Sequence, residues 1–230
     1  MKTSHGDCET KFQAKPHGKD TTILFDLDGT VIDSTEAILE SFHNSFDVYK
    51  LSHPGDEEIK ALIGHPLDHM YIDLGVEEVL VWEMVKTYKE HYAKIYKEKT
   101  ILLEYAVESI RLAQEVARLG VVTTKTGTYS RDLLDHFGLM SAFEVLIGRE
   151  DVVEPKPSAE PINKAMDLMH SDKSRTWMIG DTRLDIASAN NAGIQSVAVT
   201  SGYDTKEELS TLTHRIENNV LEAVKYISKH

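Results

Sequence analysis

Thr21-Thr22-Ile23-Leu24-Phe25-Asp26-Leu27-Asp28-Gly29-Thr30 is the stretch that decides the fold. Its β-rich apolar run, Thr22 to Phe25, ends in two aspartates and a glycine, the pattern of a buried strand feeding a tight loop. Carboxylates at i and i+2 beside a buried strand repel each other and lose hydration, so the pair calls for a proton or a cation. A divalent metal answers that need most simply.

Four similar runs follow at 120–124, 144–148, 176–180 and 195–199, giving five expected strands. Helical periodicity fills 103–118, 128–138, 158–170 and 183–192, with a last helix near 216–228. Short apolar strands alternating with helices predict an α/β fold, a doubly wound parallel sheet of Rossmann-like kind. In such sheets ligands bind beyond the carboxyl ends of the strands. Asp181, in Gly180-Asp181-Thr182-Arg183-Leu184-Asp185, should therefore reach the same edge as Asp26 and Asp28. Thr123 and Thr124 after the second run, and Lys156 in Pro155-Lys156-Pro157 after the third, would supply the hydroxyls and the cation that hold phosphoryl oxygens. An oxygen-only donor set suits magnesium.

About 90 residues separate the first two strands, far more than one crossover helix needs. Residues 35–100 read as helical throughout, with Ser34 as an N-cap, breaks at Gly64-His65-Pro66 and Gly75, and Val81, Val85, Tyr88, Tyr92 and Ile95 at helical spacing. The expected division is a flexible tail at 1–20, a catalytic core of 21–34 and 101–230, and an inserted helical cap of 35–100. The cap should hinge near Ser34 and Thr100-Ile101. Lys86, Lys89, Lys94, Lys97 and Lys99 read as the solvated face of a cap helix, and Asp33 as an acid at a helix N-terminus.

The 230 residues carry 38 acidic and 25 basic side chains, a formal charge of −13, which repels nucleic acid over most of the surface. No apolar stretch is long enough to span a membrane. The start lacks an apolar leader, and Cys8 is the only cysteine, so a cytoplasmic enzyme with no membrane or nucleic-acid partner is expected.

With these motifs in order, residues 21–200 resemble the haloacid dehalogenase-like phosphohydrolase superfamily, and the helical insertion after the first motif resembles that of its phosphoglycolate-phosphatase-like group. The resemblance implies a phosphatase acting on a small phosphorylated metabolite: phosphoglycolate-like, a sugar phosphate or a nucleotide. It makes Asp26 the nucleophile that forms an aspartyl phosphate, and Asp28 the acid and base. Thr123 and Lys156 would hold the phosphoryl group. Magnesium would sit on Asp26, the Asp28 backbone carbonyl and Asp181, with Asp185 supporting that set from behind. His65 takes the position of the family's substrate-specificity loop, although a histidine in a turn is equally ordinary there.

Taken alone, Asp-x-Asp-Gly is a common turn and Lys156 a common surface lysine. Four motifs in order make coincidence a poor account. The sequence departs from its relatives at Leu102–Ala106, where a proline-glycine pair is usual, and at Ser158-Ala159, where a second proline is. Asp28 argues against a dehalogenase. Ala37, Ile38 and Leu39 stand where sugar phosphomutases carry a histidine. A phosphate-responsive receiver module would lack the 65-residue insertion.

Overall fold

The structure is a computed structural model and describes residues 19–230. The tail expected at 1–20 lies almost wholly outside the described residues. Strand β1 (Thr22–Phe25) lies between β4 (Arg118–Val122) and β6 (Thr176–Gly180), and the six-stranded sheet runs β5-β4-β1-β6-β7-β8, with β5 at Val145–Ile147, β7 at Gln195–Val199 and β8 at Ile216–Glu217. All its pairings are parallel, with Phe25 level with Val121 on one side and Ile179 on the other.

Alternation along β1 sorts its side chains between two layers. Ile23 and Phe25 join the layer of α5 (Ala106–Val116) and α10 (Val220–Ile227). Leu24 joins that of α7 (Glu160–Met169) and α8 (Arg183–Ala192). Gly120 on β4 is required there, since a Cβ would stand 2.8 Å from the Leu24 side chain. The remaining core helices are α6 (Gly127–His136), which adds Leu133 and Leu134 to the first layer, and the short α9 (Lys206–Leu209).

Two differences from the expected elements have simple causes. The chain expected to start the last helix at 216 instead adds β8 to the sheet, Ala198 pairing with Ile216, and α10 starts after Asn219, whose side chain accepts the Glu222 N–H at 3.0 Å. The helix expected over 103–118 stops at Val116 because Arg118 already pairs with Thr22.

Between β1 and β4 stand four helices: α1 (Thr35–Tyr49), α2 (Asp56–Lys60), α3 (Leu67–Asp73) and α4 (Glu78–Ile95). They close on an aromatic centre in which Phe42 meets Tyr71 at 4.8 Å and Tyr88 at 5.0 Å. The Tyr71 hydroxyl is satisfied by Ser45 at 2.6 Å. The chain entering this unit and the chain leaving it pair as an antiparallel ribbon of β2 (Ile32–Asp33) and β3 (Ile101–Leu102), too short to be read as strands from sequence. Lys86, Lys94 and Lys97 are exposed as expected, whereas Lys99 bonds Glu36 at 2.8 Å and Glu40, tying the segment after α4 to α1. No helix among the described residues is long and apolar enough to cross a membrane.

Candidate active site

The carboxyl ends of β1, β4 and β6 bring the expected residues to one edge. Asp26 follows β1 directly, is 6% exposed, and accepts from Lys156 Nζ at 2.7 Å. Lys156 reaches it from the loop between β5 and α7 and also donates to Asp185 Oδ1 at 2.5 Å and to the Val122 carbonyl at 3.2 Å. Asp185 is anchored from the other side by the Thr182 hydroxyl at 2.7 Å and the Thr182 N–H at 3.0 Å, as the start of α8 folds back on itself. Asp181 accepts from the Thr30 hydroxyl at 2.9 Å and the Tyr203 N–H at 3.0 Å.

Glycines make room for this packing. Gly29 has φ +82°, a conformation that disfavours side chains, and a Cβ there or on Gly202 would overlap the Asp181 carboxylate.

Asp26, Asp181 and Asp185 each offer an oxygen within 4.8 Å of the others. The group is buried, and among the described residues Lys156 is the one cation that touches it in the hydrogen-bond network. Burial, offset in part by Lys156 and reinforced by Asp185 and Asp28, pushes Asp26 up to about 7. Burial, then Asp26 and Asp185, hold Asp181 well above the usual carboxylate range. Burial alone would lower the Lys156 ammonium, but Asp185 and Asp26 outweigh it and keep the group charged. Oxygen-only donors with excess negative charge fit a small, hard divalent cation. Asp185, expected to support the ligands from behind, offers an oxygen to the same cluster, whereas Asp28, expected to contribute its backbone carbonyl, has its carboxylate outside it.

Asp28 turns instead toward a cleft between the sheet edge and the helical unit. It accepts from Ser34 Oγ and lies 3.1 Å from Lys125 Nζ. Ser34 precedes α1 as expected but makes no capping bond; Asp33 accepts the Thr35 N–H at 2.9 Å in its place. The two threonines after β4 separate. Thr123 stays at the edge, its oxygen accepting the Lys125 N–H at 3.2 Å, which leaves its own O–H to donate. Thr124 gives its hydroxyl to the Gly64 carbonyl at 2.8 Å and so bonds the core to the helical unit. His65 lines the cleft with Asp28 and Lys125, and burial lowers its imidazole below the ordinary histidine value.

Sequence reasoning missed Lys125, Thr30 and the Gly202-Tyr203 backbone. Lys125 stands two residues beyond the threonine already singled out, and that position was the available signal. Nothing local marks Gly202 or Tyr203.

A model of the haloacid dehalogenase-like hydrolases matches residues 23–199. The chain is 35% identical over 188 residues to a pyrophosphatase PpaX from Halalkalibacterium halodurans, covering 81% of this chain and 86% of that one. A pyrophosphatase PpaX from Bacillus mycoides is 32% identical over 79% of this chain and 84% of its own. Among solved structures, a haloacid dehalogenase-like hydrolase from Bacteroides fragilis superposes with a TM-score of 0.84 at 28% identity, over 89% of this chain and 99% of that one. A chain from Clostridium acetobutylicum, at 24% identity and a TM-score of 0.85 over 93% and 100% of the two chains, shares the fold. The chain thus belongs to the haloacid dehalogenase-like hydrolase family, as an enzyme of the phosphatase kind.

Proposed function

We propose that the chain hydrolyses a small phosphate compound, a monoester or inorganic diphosphate, by way of a phosphoryl group carried on Asp26. The observation that carries this reading is the division of labour between two aspartates two residues apart: Asp26 among buried acids and Lys156, Asp28 beside the cleft.

An Asp26 oxygen attacks phosphorus as the bond from phosphorus to the leaving oxygen breaks, and the Asp28 carboxyl gives its proton to that oxygen. Water then attacks the aspartyl phosphate, its proton passing to Asp28, which restores both carboxyls and releases orthophosphate. Lys156 and the Thr123 hydroxyl neutralise and orient the phosphoryl oxygens, the positioning and charge compensation that phosphoryl transfer chiefly asks for. Asp26, Asp181 and Asp185 would hold a divalent cation, with magnesium best matched to the oxygen donors. Such an ion, when bound, supplies positive charge that favours the Asp26 carboxylate and shields the incoming phosphate. Ser34 and Lys125 hold the Asp28 carboxyl in register with the cleft.

The residues between β2 and β3 act in this reading as a cap over the core, hinged at the two-stranded ribbon, and the cap-side wall meets the leaving group. Relatives named as pyrophosphatases, together with Lys89, Lys125 and Arg149 around the cleft, make inorganic diphosphate the first substrate to try.

The test is a phosphate-release screen of diphosphate and small monoesters on chelator-treated protein with magnesium or calcium restored. Turnover with magnesium and little with calcium, which prefers more ligands in a looser shell, is expected. Full activity in chelator, or no release from any compound, sinks the reading.

A further inference from the structure

The cleft contains a polar group that neither the sheet edge nor the helical core accounts for. Tyr92, on α4, is 1% exposed, and its ring stacks between Tyr88 and Tyr96 with centroids 5.6 and 5.5 Å away. Its hydroxyl is shut off from bulk water; the Lys125 ammonium faces its oxygen, but its O–H has no acceptor among the described residues. Buried hydroxyls are nearly always paired, and one left unpaired is a standing cost. Tyr92 lines the cleft with Asp28 and Lys125, and the Lys125 ammonium lies 4.9 Å from its ring centroid. The other two unpartnered buried atoms, His43 Nδ1 and Thr100 Oγ1, belong to residues that do not line the cleft.

We propose that the Tyr92 hydroxyl and the Lys125 ammonium form the leaving-group subsite, built for a small oxygen-rich anion such as orthophosphate or a carboxylate-bearing alcohol. The assignment rests on the phosphatase reading above and deepens it. Its argument is one of unmet demand: the phenol is satisfied only when an acceptor enters the cleft. Lys125 is already turned toward Asp28, at 3.1 Å, so an acceptor held by both groups comes to rest where the departing oxygen needs its proton. Lys89 and Arg149 add positive charge around the same cleft, in which Asp28 is the one acid among the described residues, so an anion is favoured over a neutral alcohol. A leaving group without an acceptor would keep the hydroxyl buried and unpaired. Polar sites discriminate against incomplete substrates in this way.

Tyr92→Phe tests the assignment, because it keeps the ring stack and removes one oxygen. kcat/KM is measured on diphosphate, on phosphoglycolate and on phenyl phosphate, whose leaving group carries no further acceptor; the first two distinguish the two kinds of anion. The expected result is a roughly 10- to 100-fold loss on whichever anion-releasing substrate the unaltered enzyme accepts, the effect of losing a hydrogen bond to a charged group, with little change on phenyl phosphate. Tyr71→Phe, which removes the hydroxyl bonded to Ser45, serves as comparator and should lower Tm without moving the ratio between substrates. Equal losses on all three substrates, or no loss on any, overturn the subsite. So does unaltered enzyme that accepts phenyl phosphate alone, which leaves the phosphatase reading intact. No turnover of any of the three overturns that reading and the subsite with it.

Discussion

The sheet edge and the helical wall across the cleft from it are built on different terms. At the edge each acid has partners from its own chain: Asp26 has Lys156, Asp181 has Thr30 and the Tyr203 N–H, and Asp185 has Lys156 and Thr182. Glycine stands where a side chain would collide with them. On the wall, the Tyr92 O–H has no acceptor among the described residues and His65 is lowered by burial. On the proposed mechanism, the contrast means that the apparatus for breaking the bond is assembled before substrate arrives, whereas the apparatus for choosing it is completed by the substrate. A parallel sheet can do the first, because its strand ends are fixed by ladders on both sides.

The most severe way to break the comparison is Asp26→Asn. Turnover should fall by about four orders of magnitude or more, since the nucleophilic oxygen is gone, and intact-mass analysis should find no phosphorylated protein with any substrate. Residual activity within tenfold of the unaltered enzyme would place the chemistry elsewhere.

Asp28→Asn lies between the two regions and should show it. The loss of acid and base should cost about 10²- to 10⁴-fold with poor leaving groups and less with p-nitrophenyl phosphate, whose leaving oxygen needs no proton. The aspartyl phosphate would then lack its base, so a single phosphoryl adduct on Asp26 should accumulate. Identical losses with both kinds of leaving group would remove Asp28 from proton transfer.

Gly202→Ala probes the edge without replacing a carboxylate. The new methyl group would overlap Asp181, so divalent-cation affinity, measured by calorimetry, should weaken by roughly 10- to 100-fold, as for other residues that orient ligands. Unchanged affinity would mean that Asp181 is not among the ligands.

The smallest effect is expected on the wall. Burial holds His65 below its ordinary value of 6.5, so the unfolded chain binds this proton more readily than the native one. The native state is therefore penalised as pH falls through the unfolded value. His65→Asn escapes that penalty: its stability relative to the unaltered chain should improve from pH 8 to pH 5, as read from urea unfolding at both. A difference independent of pH would show that the imidazole titrates as if in water.

The order of strands and helices, the acids at the ends of β1 and β6, and Lys156 after β5 were all legible, because each depends on local periodicity and on the rule that parallel strands deliver their ends to one edge. A two-residue strand such as β2 or β3 has no period to read, and it forms because Ile32 and Leu102 are brought level by everything between them. Side-chain direction was equally hidden. Thr123 and Thr124 are neighbours of the same type, yet one stays at the edge and the other bonds Gly64. Lys125 turns to Asp28, and the Tyr203 N–H backs Asp181. Sequence alone determined which strand end each of the predicted groups follows, since that is a property of the local pattern. Which of them touch, and which hydroxyl remains unpaired in the cleft, only the tertiary structure decided, because a side chain points where remote backbone leaves it space and offers it a partner.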